Sequence, residues 1–390
     1  MSLLNDFTTA ITIDLDAVAH NMQAIARHVG PDVMIYGVVK ANAYGHGAGH
    51  IAHTILANGA TGLAVGRTDE GIQLRRLGIT ADILNLCYTV LGEIGTMVEH
   101  DIIPTVNTVE AAQAVSGQAA ALGKVARVHV KVDTGMGRFG QLPEEMLPFL
   151  NAISTLPNLE IEGIFTHFST ADERDHGYTH RQLAIFHEVL RAAEAAGHRF
   201  RVRHAANSAA TLSMRETHLD AVRPGVAIYG MYPSAEVSRE VPLKPALSLR
   251  SHLGRVRTLP AGSAVGYGRT FVTPRAMPVG LVPVGYGDGY HRLLSSRGAV
   301  LVHGKRAPII GRICMDQFMV DLTAVPEAAE ADEVVLIGAQ GEDTITAEEV
   351  ARWAETINYE VTTSLTRRLP RVYIQNGAIL DIVHLTICDI

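Results

Sequence analysis

The sequence predicts an α/β protein: an N-terminal (β/α)8 barrel of the TIM type, then a mostly-β C-terminal domain. Three observations carry this. Short apolar runs alternate with helical stretches about eight times over a little more than two hundred residues. Lys40, Lys131, His167, Asn207 and Arg223 each fall late in such a run, where a barrel presents its reactive groups. The pattern then changes after Tyr232, where Pro233, Pro242 and Pro245 punctuate a linker. The expected division is residues 1–240 for the barrel and 241–390 for the β-rich domain. A doubly wound sheet is the alternative. The number of alternations and the lack of a Gly-rich turn after the first strand favour the barrel.

Taken in order, Ile11-Thr12-Ile13 is a brief strand. Residues 14–29 carry Leu15, Val18, Met22, Ile25 and Val29 at helical spacing. Strand-like runs follow at 33–40, 62–65, 83–87, 102–106, 126–133, 159–167, 200–205 and 219–223. Asn107-Thr108-Val109-Glu110 reads as a helix N-cap followed three residues on by its acid. Gly123 and Gly197 follow helical runs at positions suited to C-caps. Beyond the linker, apolar and β-branched runs crowd together at 247–259, 277–284, 299–302, 309–320, 334–337, 372–374 and 379–383. Residues 346–357 are the exception, a helix opening with the capping box Thr346-Ala347-Glu348-Glu349.

The bulk properties exclude several classes. The chain has 390 residues, 47% hydrophobic and 19% charged, ordinary for a globular enzyme. A formal net charge of −7 gives nucleic acid no electrostatic footprint. Cys87, Cys314 and Cys388 are odd in number and far apart, so free thiols are expected, with no metal site. Residues 1–7 lack the basic segment and apolar core of a signal peptide, and no run is long enough to span a membrane. A cytoplasmic enzyme without a membrane partner is the expectation.

The chemistry centres on Val38-Val39-Lys40-Ala41-Asn42-Ala43-Tyr44-Gly45-His46-Gly47. Lys40 stands where a buried strand ends. A lysine there is either a snorkelling side chain or a desolvated amine able to form a Schiff base. Asn42, Tyr44 and the glycines favour the second, because a ligand could approach the backbone while Tyr44 offers a hydroxyl. His204-Ala205-Ala206-Asn207-Ser208 supplies a strand end, a hydroxyl and a helix start; Arg223-Pro224-Gly225-Val226 supplies backbone amides. Ser208 alone reads better as a helix N-cap.

The decapeptide around Lys40 resembles the pyridoxal-phosphate attachment segment of alanine racemases, and the likeness extends along nearly the whole chain. In that family the lysine matching Lys40 holds the cofactor and serves as one of two catalytic bases. The tyrosine matching Tyr267, in Gly266-Tyr267-Gly268, enters the partner subunit's site as the other. Residues matching Tyr44, Asn207, Ser208, Gly225, Val226 and Tyr359 surround the phosphate; Ala205 departs from the usual Thr. The residue matching Arg223 faces the pyridine nitrogen, where fold-related decarboxylases place a carboxylate. His167 matches the group beside the cofactor that tunes the tyrosine. Arg138 matches an arginine near the substrate carboxylate and Lys131 a lysine that is often carbamylated. Cys314-Met315-Asp316 matches a segment whose Met backbone holds that carboxylate, and Tyr286 an entry-channel residue. Gly287 stands where the family more often has Ala, which would loosen that loop.

The resemblance thus implies a homodimer with shared active sites that interconverts L- and D-alanine for peptidoglycan. Three rivals stand beside it: a racemase for serine or lysine, a decarboxylase of the same fold, and a protein that only carries the cofactor. Such carriers resemble the barrel alone, so the second domain with Tyr267 separates them.

Overall fold

The structure is a computed structural model and describes residues 7–384. Cys388 lies outside the described residues. Among them the chain divides into two units: one holds Val18–Ala43 and Ala48–Lys244, the other the chain up to Ala17, Tyr44–Gly47 and the chain from Pro245. The first strand, β1 (Thr9–Asp14), belongs to the second of these, not to the barrel that follows it in sequence. It lies between Leu247–His252, antiparallel, and Arg371–Gln375, parallel. All but the last of its residues are buried, which a strand with neighbours on both sides requires.

The other unit is the barrel. Its strands are β2 (Met34–Val38), β3 (Gly62–Val65), β4 (Asp82–Asn85), β5 (Ile102–Ile103), β6 (Thr105–Val106), β7 (Ala126–Lys131), β8 (Leu159–Phe165), β9 (Val202–His204) and β10 (Ala221–Val222). All pair in parallel. β5 pairs with β4 and β6 with β7, and Pro104 between them accepts from the His129 N–H. Proline has no N–H to continue the ladder, so 102–106 is one strand in two pieces. β10 pairs with both β9 and β2 through Ala221, which closes the ring. Eight strand positions result, as the alternation predicts.

Local capping departs from expectation at three places. Thr108, not Asn107, caps the helix Val109–Ala121: its hydroxyl accepts from Ala111 N at 3.1 Å. Thr346 caps Ala347–Trp353 through Glu349 N, but the Glu349 carboxylate takes Arg306 instead of closing a capping box. That helix stops at Trp353, and a second one spans Asn358–Thr363. Gly123 and Gly197 do close their helices with left-handed backbone, φ 63° and 94°.

The barrel interior is unusually polar. His129, His204, Glu162, Lys131 and Arg223 are all buried beside Val130, Ile164 and Phe165. Such groups persist only where hydrogen bonds satisfy them.

Candidate active site

Lys40 follows β2 and begins a rare backbone form. Ala41, Asn42, Ala43 and Tyr44 all have φ between 51° and 54°, a left-handed turn built from non-glycine residues. Each such residue costs about 1–2 kcal/mol, so the surroundings must enforce it. They do. Ala43 N donates to Val39 O. The Asn42 side chain accepts from Ala48 N at 3.0 Å and so caps the helix Ala48–Ala57. The Glu70 carboxylate accepts from Ala41 N at 2.6 Å while also taking Gly66 N and Arg67 N. Lys40 is half-buried, and a Cβ at Gly66 would just touch its aliphatic stem.

The glycines that follow have a different role from the one expected. A side chain at Gly45 would strike Thr362, and one at Gly47 would strike Tyr373. Packing requires them, not ligand approach. Within the same unit the Tyr44 and Tyr359 rings lie 5.9 Å apart.

Arg223 follows β10 and is 3% exposed. It donates to His204 Nδ1 (2.6 Å), to the carbonyls of Thr166 (2.8 Å) and Ala205 (3.0 Å), and to His167 Nδ1 (3.3 Å). It also lies over the Phe165 ring. Burial pulls its pKa down to about 9, and the guanidinium remains charged at neutral pH. His167 is driven well below the ordinary histidine value by burial and then by Arg223, Arg138, Lys131 and Lys40, so it is neutral.

Asn207 is the N-cap of the short helix Ser208–Ser213, accepting from Ala210 N. Ser208, expected as that cap, instead accepts from Gly225 N at 2.8 Å. It thereby ties the helix start to the turn that carries Gly225 and Val226. Lys131 ends β7 and donates to Phe139 O. Burial, opposed by Asp133 and aided by Arg138 and Arg223, lowers it to about 8. Arg138 sits on the loop that Asp133 organises: the Asp133 carboxylate accepts from the backbone N–H of Gly135, Met136, Gly137 and Arg138. Barrel residues Lys40, Lys131, Arg138, His167, Asn207, Ser208, Arg223, Gly225 and Val226 therefore follow or end strands at one rim.

The β-rich unit carries the others. Tyr267 projects from a hairpin, Ala264–Val265 against Phe271–Val272, and is 73% exposed. Val265 anchors the hairpin among Met277, Val279 and Ile310, and left-handed Gly266 and Gly268 pass close to Arg312. Tyr286 N donates to Cys314 O, and Gly287 N to Met315 O. Tyr286 and Met315 are exposed; Cys87 and Cys314 are free thiols. Gly287 has a packing role in its loop. It makes room for Arg368, which pairs with Asp316 at 2.8 Å and approaches Asp288 at 3.5 Å. Glu70 and Asp133 were missed in the sequence. An acid three residues into a helix start and an Asp before Thr-Gly were the available signals.

Known proteins are similar to this chain along nearly its whole length. The alanine racemase N-terminal domain profile matches residues 13–233 and the C-terminal domain profile 246–373. An alanine racemase of Desulfosudis oleivorans is 47% identical over 380 residues, covering 95% of this chain and 97% of the relative. The crystal structure of alanine racemase from Bacillus anthracis with bound L-Ala-P superposes with a TM-score of 0.93 at 39% identity, covering 98% of this chain and 99% of that one. That from E. faecalis gives 0.90 at 39% identity, over 96% and 100%. Two domain matches in order and close relatives over nearly the full length place the chain in the alanine racemase family.

Proposed function

We propose that Lys40 and Tyr267 exchange the Cα proton of alanine on opposite faces, with pyridoxal phosphate as the cofactor. The protein is an isomerase of the amino-acid racemase class. The barrel rim fits the cofactor by its donors: an amine at Lys40, a charged guanidinium at Arg223, and the Ser208 hydroxyl, whose oxygen accepts from Gly225 N and whose own proton is left to donate. Asn207, Val226, Tyr44 and Tyr359 complete the phosphate set in this reading, and Arg138 and Met315 receive the substrate carboxylate. Bound pyridoxal phosphate supplies an electron sink that acidifies the Cα–H bond of an attached amino acid.

The residues do the rest. Lys40 holds and moves a proton on one face. Tyr267 does so on the other, where neutral His167 can donate from Nε2, since its Nδ1 accepts from Arg223. Because Tyr267 is largely exposed in a single chain, the working unit in this reading is a homodimer in which the partner subunit's Tyr267 completes the site. Cys314, Asp316, Tyr286 and Lys131 support the substrate end. The enzyme would act in the cytoplasm and feed peptidoglycan.

The observation that carries racemisation over decarboxylation is the buried Arg223. Its guanidinium keeps its proton at neutral pH, so at a ring nitrogen it would donate a hydrogen bond without protonating it, and the bound cofactor would supply only a weak electron sink. The test is a panel of L-amino acids followed by loss of optical rotation. Alanine should be turned over fastest; faster loss with serine or lysine would replace the substrate assignment. Lys40→Ala should abolish both activity and visible cofactor absorbance.

A further inference from the structure

Beneath Arg223 a continuous file of ionisable side chains runs through the barrel interior, all within one unit. Arg223 Nη1 donates to His204 Nδ1 at 2.6 Å. His204 Nε2 faces His129 Nδ1 at 2.8 Å, and His129 Nε2 faces Glu162 Oε2 at 3.3 Å. The other oxygen of Glu162 accepts from Arg127 Nη1 at 3.1 Å and Arg201 Nε at 2.9 Å. Arg127 also forks onto Asp82, at 2.6 and 2.9 Å. Both histidines are 0% exposed and the Glu162 side chain is 1% exposed. Phe165 stacks on His204 at 4.7 Å, and a Cβ at Gly163 would come within 2.6 Å of the His129 ring. Neither imidazole has room to turn.

The two ends of the file dictate the order of protons along it. A guanidinium offers only donors and a carboxylate only acceptors. Burial keeps both imidazoles neutral, so each holds one proton. Arg223 requires a bare Nδ1 on His204. The His204 proton then sits on Nε2 and is donated to His129, whose Nδ1 must also be bare. The His129 proton is left on Nε2, directed at Glu162. In the reverse order donor would meet donor at Arg223, and lone pair would meet carboxylate at Glu162. Both clashes would be buried.

We infer that Glu162 and His129 are positioning residues for the cofactor: they lock His204 as an acceptor and so fix the Arg223 guanidinium at the ring nitrogen. The inference rests on the reading that Arg223 faces that nitrogen. Glu162 lies far down the barrel, and it would act through two neutral rings without touching substrate or cofactor.

Glu162→Gln tests this because it is nearly isosteric and inverts one hydrogen bond. Arg127 and Arg201 claim the amide oxygen, as they claim Oε1 now, which turns the NH2 group toward His129. A donor there demands a bare Nε2, and the order of protons reverses. Nitrogen NMR of the holoenzyme, labelled with 15N in histidine and separately in the ring nitrogen of pyridoxal phosphate, reads both ends. In the unaltered enzyme His129 and His204 should both be neutral with the proton on Nε2. Finding either ring charged at neutral pH, or protonated on Nδ1, overturns the inference, and this needs no variant that might fail to fold. In Glu162→Gln the Nε2–H signal of His129 should be lost and the ring-nitrogen signal should shift, with kcat falling and KM for alanine held. Unchanged tautomers and an unchanged ring nitrogen would overturn the inference. Reversed tautomers with an unmoved ring nitrogen would also overturn it, and would fault the placement of Arg223 instead of the file itself.

Discussion

At the scale of single residues, the two bases make the sharpest claim. Lys40 and Tyr267 differ chemically, so each should serve one face of the substrate, Lys40 taking the proton of D-alanine and Tyr267 that of L-alanine. Tyr267→Phe should cost roughly 10²–10⁴-fold in racemisation, the usual worth of a positioned acid–base group. Exchange of the Cα proton of D-alanine with deuterated solvent should survive better than that of L-alanine, as followed by NMR. Equal losses would remove the division of labour. Lys131 makes a second claim. A pKa near 8 leaves far more free amine at neutral pH than an ordinary lysine has, and carbamate formation requires the free amine. Carbon NMR with labelled bicarbonate should therefore show a carbamate that Lys131→Ala removes. Residue identities were legible in the sequence where a motif held them, as with Lys40 and Arg223. Asn207 takes the cap expected of Ser208, because either can cap a helix and only the approach of Gly225 decides between them.

At the scale of elements, the left-handed turn after Lys40 is the least legible feature and the most demanding. Alanine gives no signal for positive φ, and Asn42, the one residue of a type that favours it, does not announce a run of four. Tertiary hydrogen bonds accepted by the Glu70 carboxylate and the Asn42 side chain override the local preference. Strain of this kind concentrates at functional sites. Ala41 is exposed, so Ala41→Gly should relieve it without opening a cavity and stabilise the fold by about 1 kcal/mol. Ala41→Val should destabilise by at least as much, and thermal denaturation separates the two. The strand–helix alternation was legible throughout the barrel because each strand there is an apolar run with helices between. The β-rich unit was legible only as a class: its runs were visible, but partners far apart in sequence leave no local trace.

At the scale of the whole molecule, stability should depend on the buried carboxylate of Glu162. Burial works against its ionisation, but His129, Arg201 and Arg127 hold its pKa down to about 2, against an ordinary 4.5. A folded pKa below the unfolded one contributes stability above pH 4.5, and that contribution is lost as pH falls toward 2. Denaturation midpoints should drop over that window in the parent and much less in Glu162→Gln. Assembly can be tested by mixing inactive Lys40→Ala with inactive Tyr267→Phe under subunit exchange. A hybrid dimer regains both bases in one of its sites, so activity should return; none returning after proven exchange would exclude a shared site.

The pairing of β1 bears on how the chain comes into being. Ile11 is made about 360 residues ahead of its parallel neighbour Arg371. At a synthesis rate of 5–20 residues per second that is a wait of roughly 20–70 s. Every strand of the barrel has left the ribosome long before then, so the barrel can fold during translation. Until Leu249 arrives, about 240 residues after Ile11, β1 has no strand of its own sheet to join. It can take that antiparallel neighbour then, but its other edge waits for Arg371.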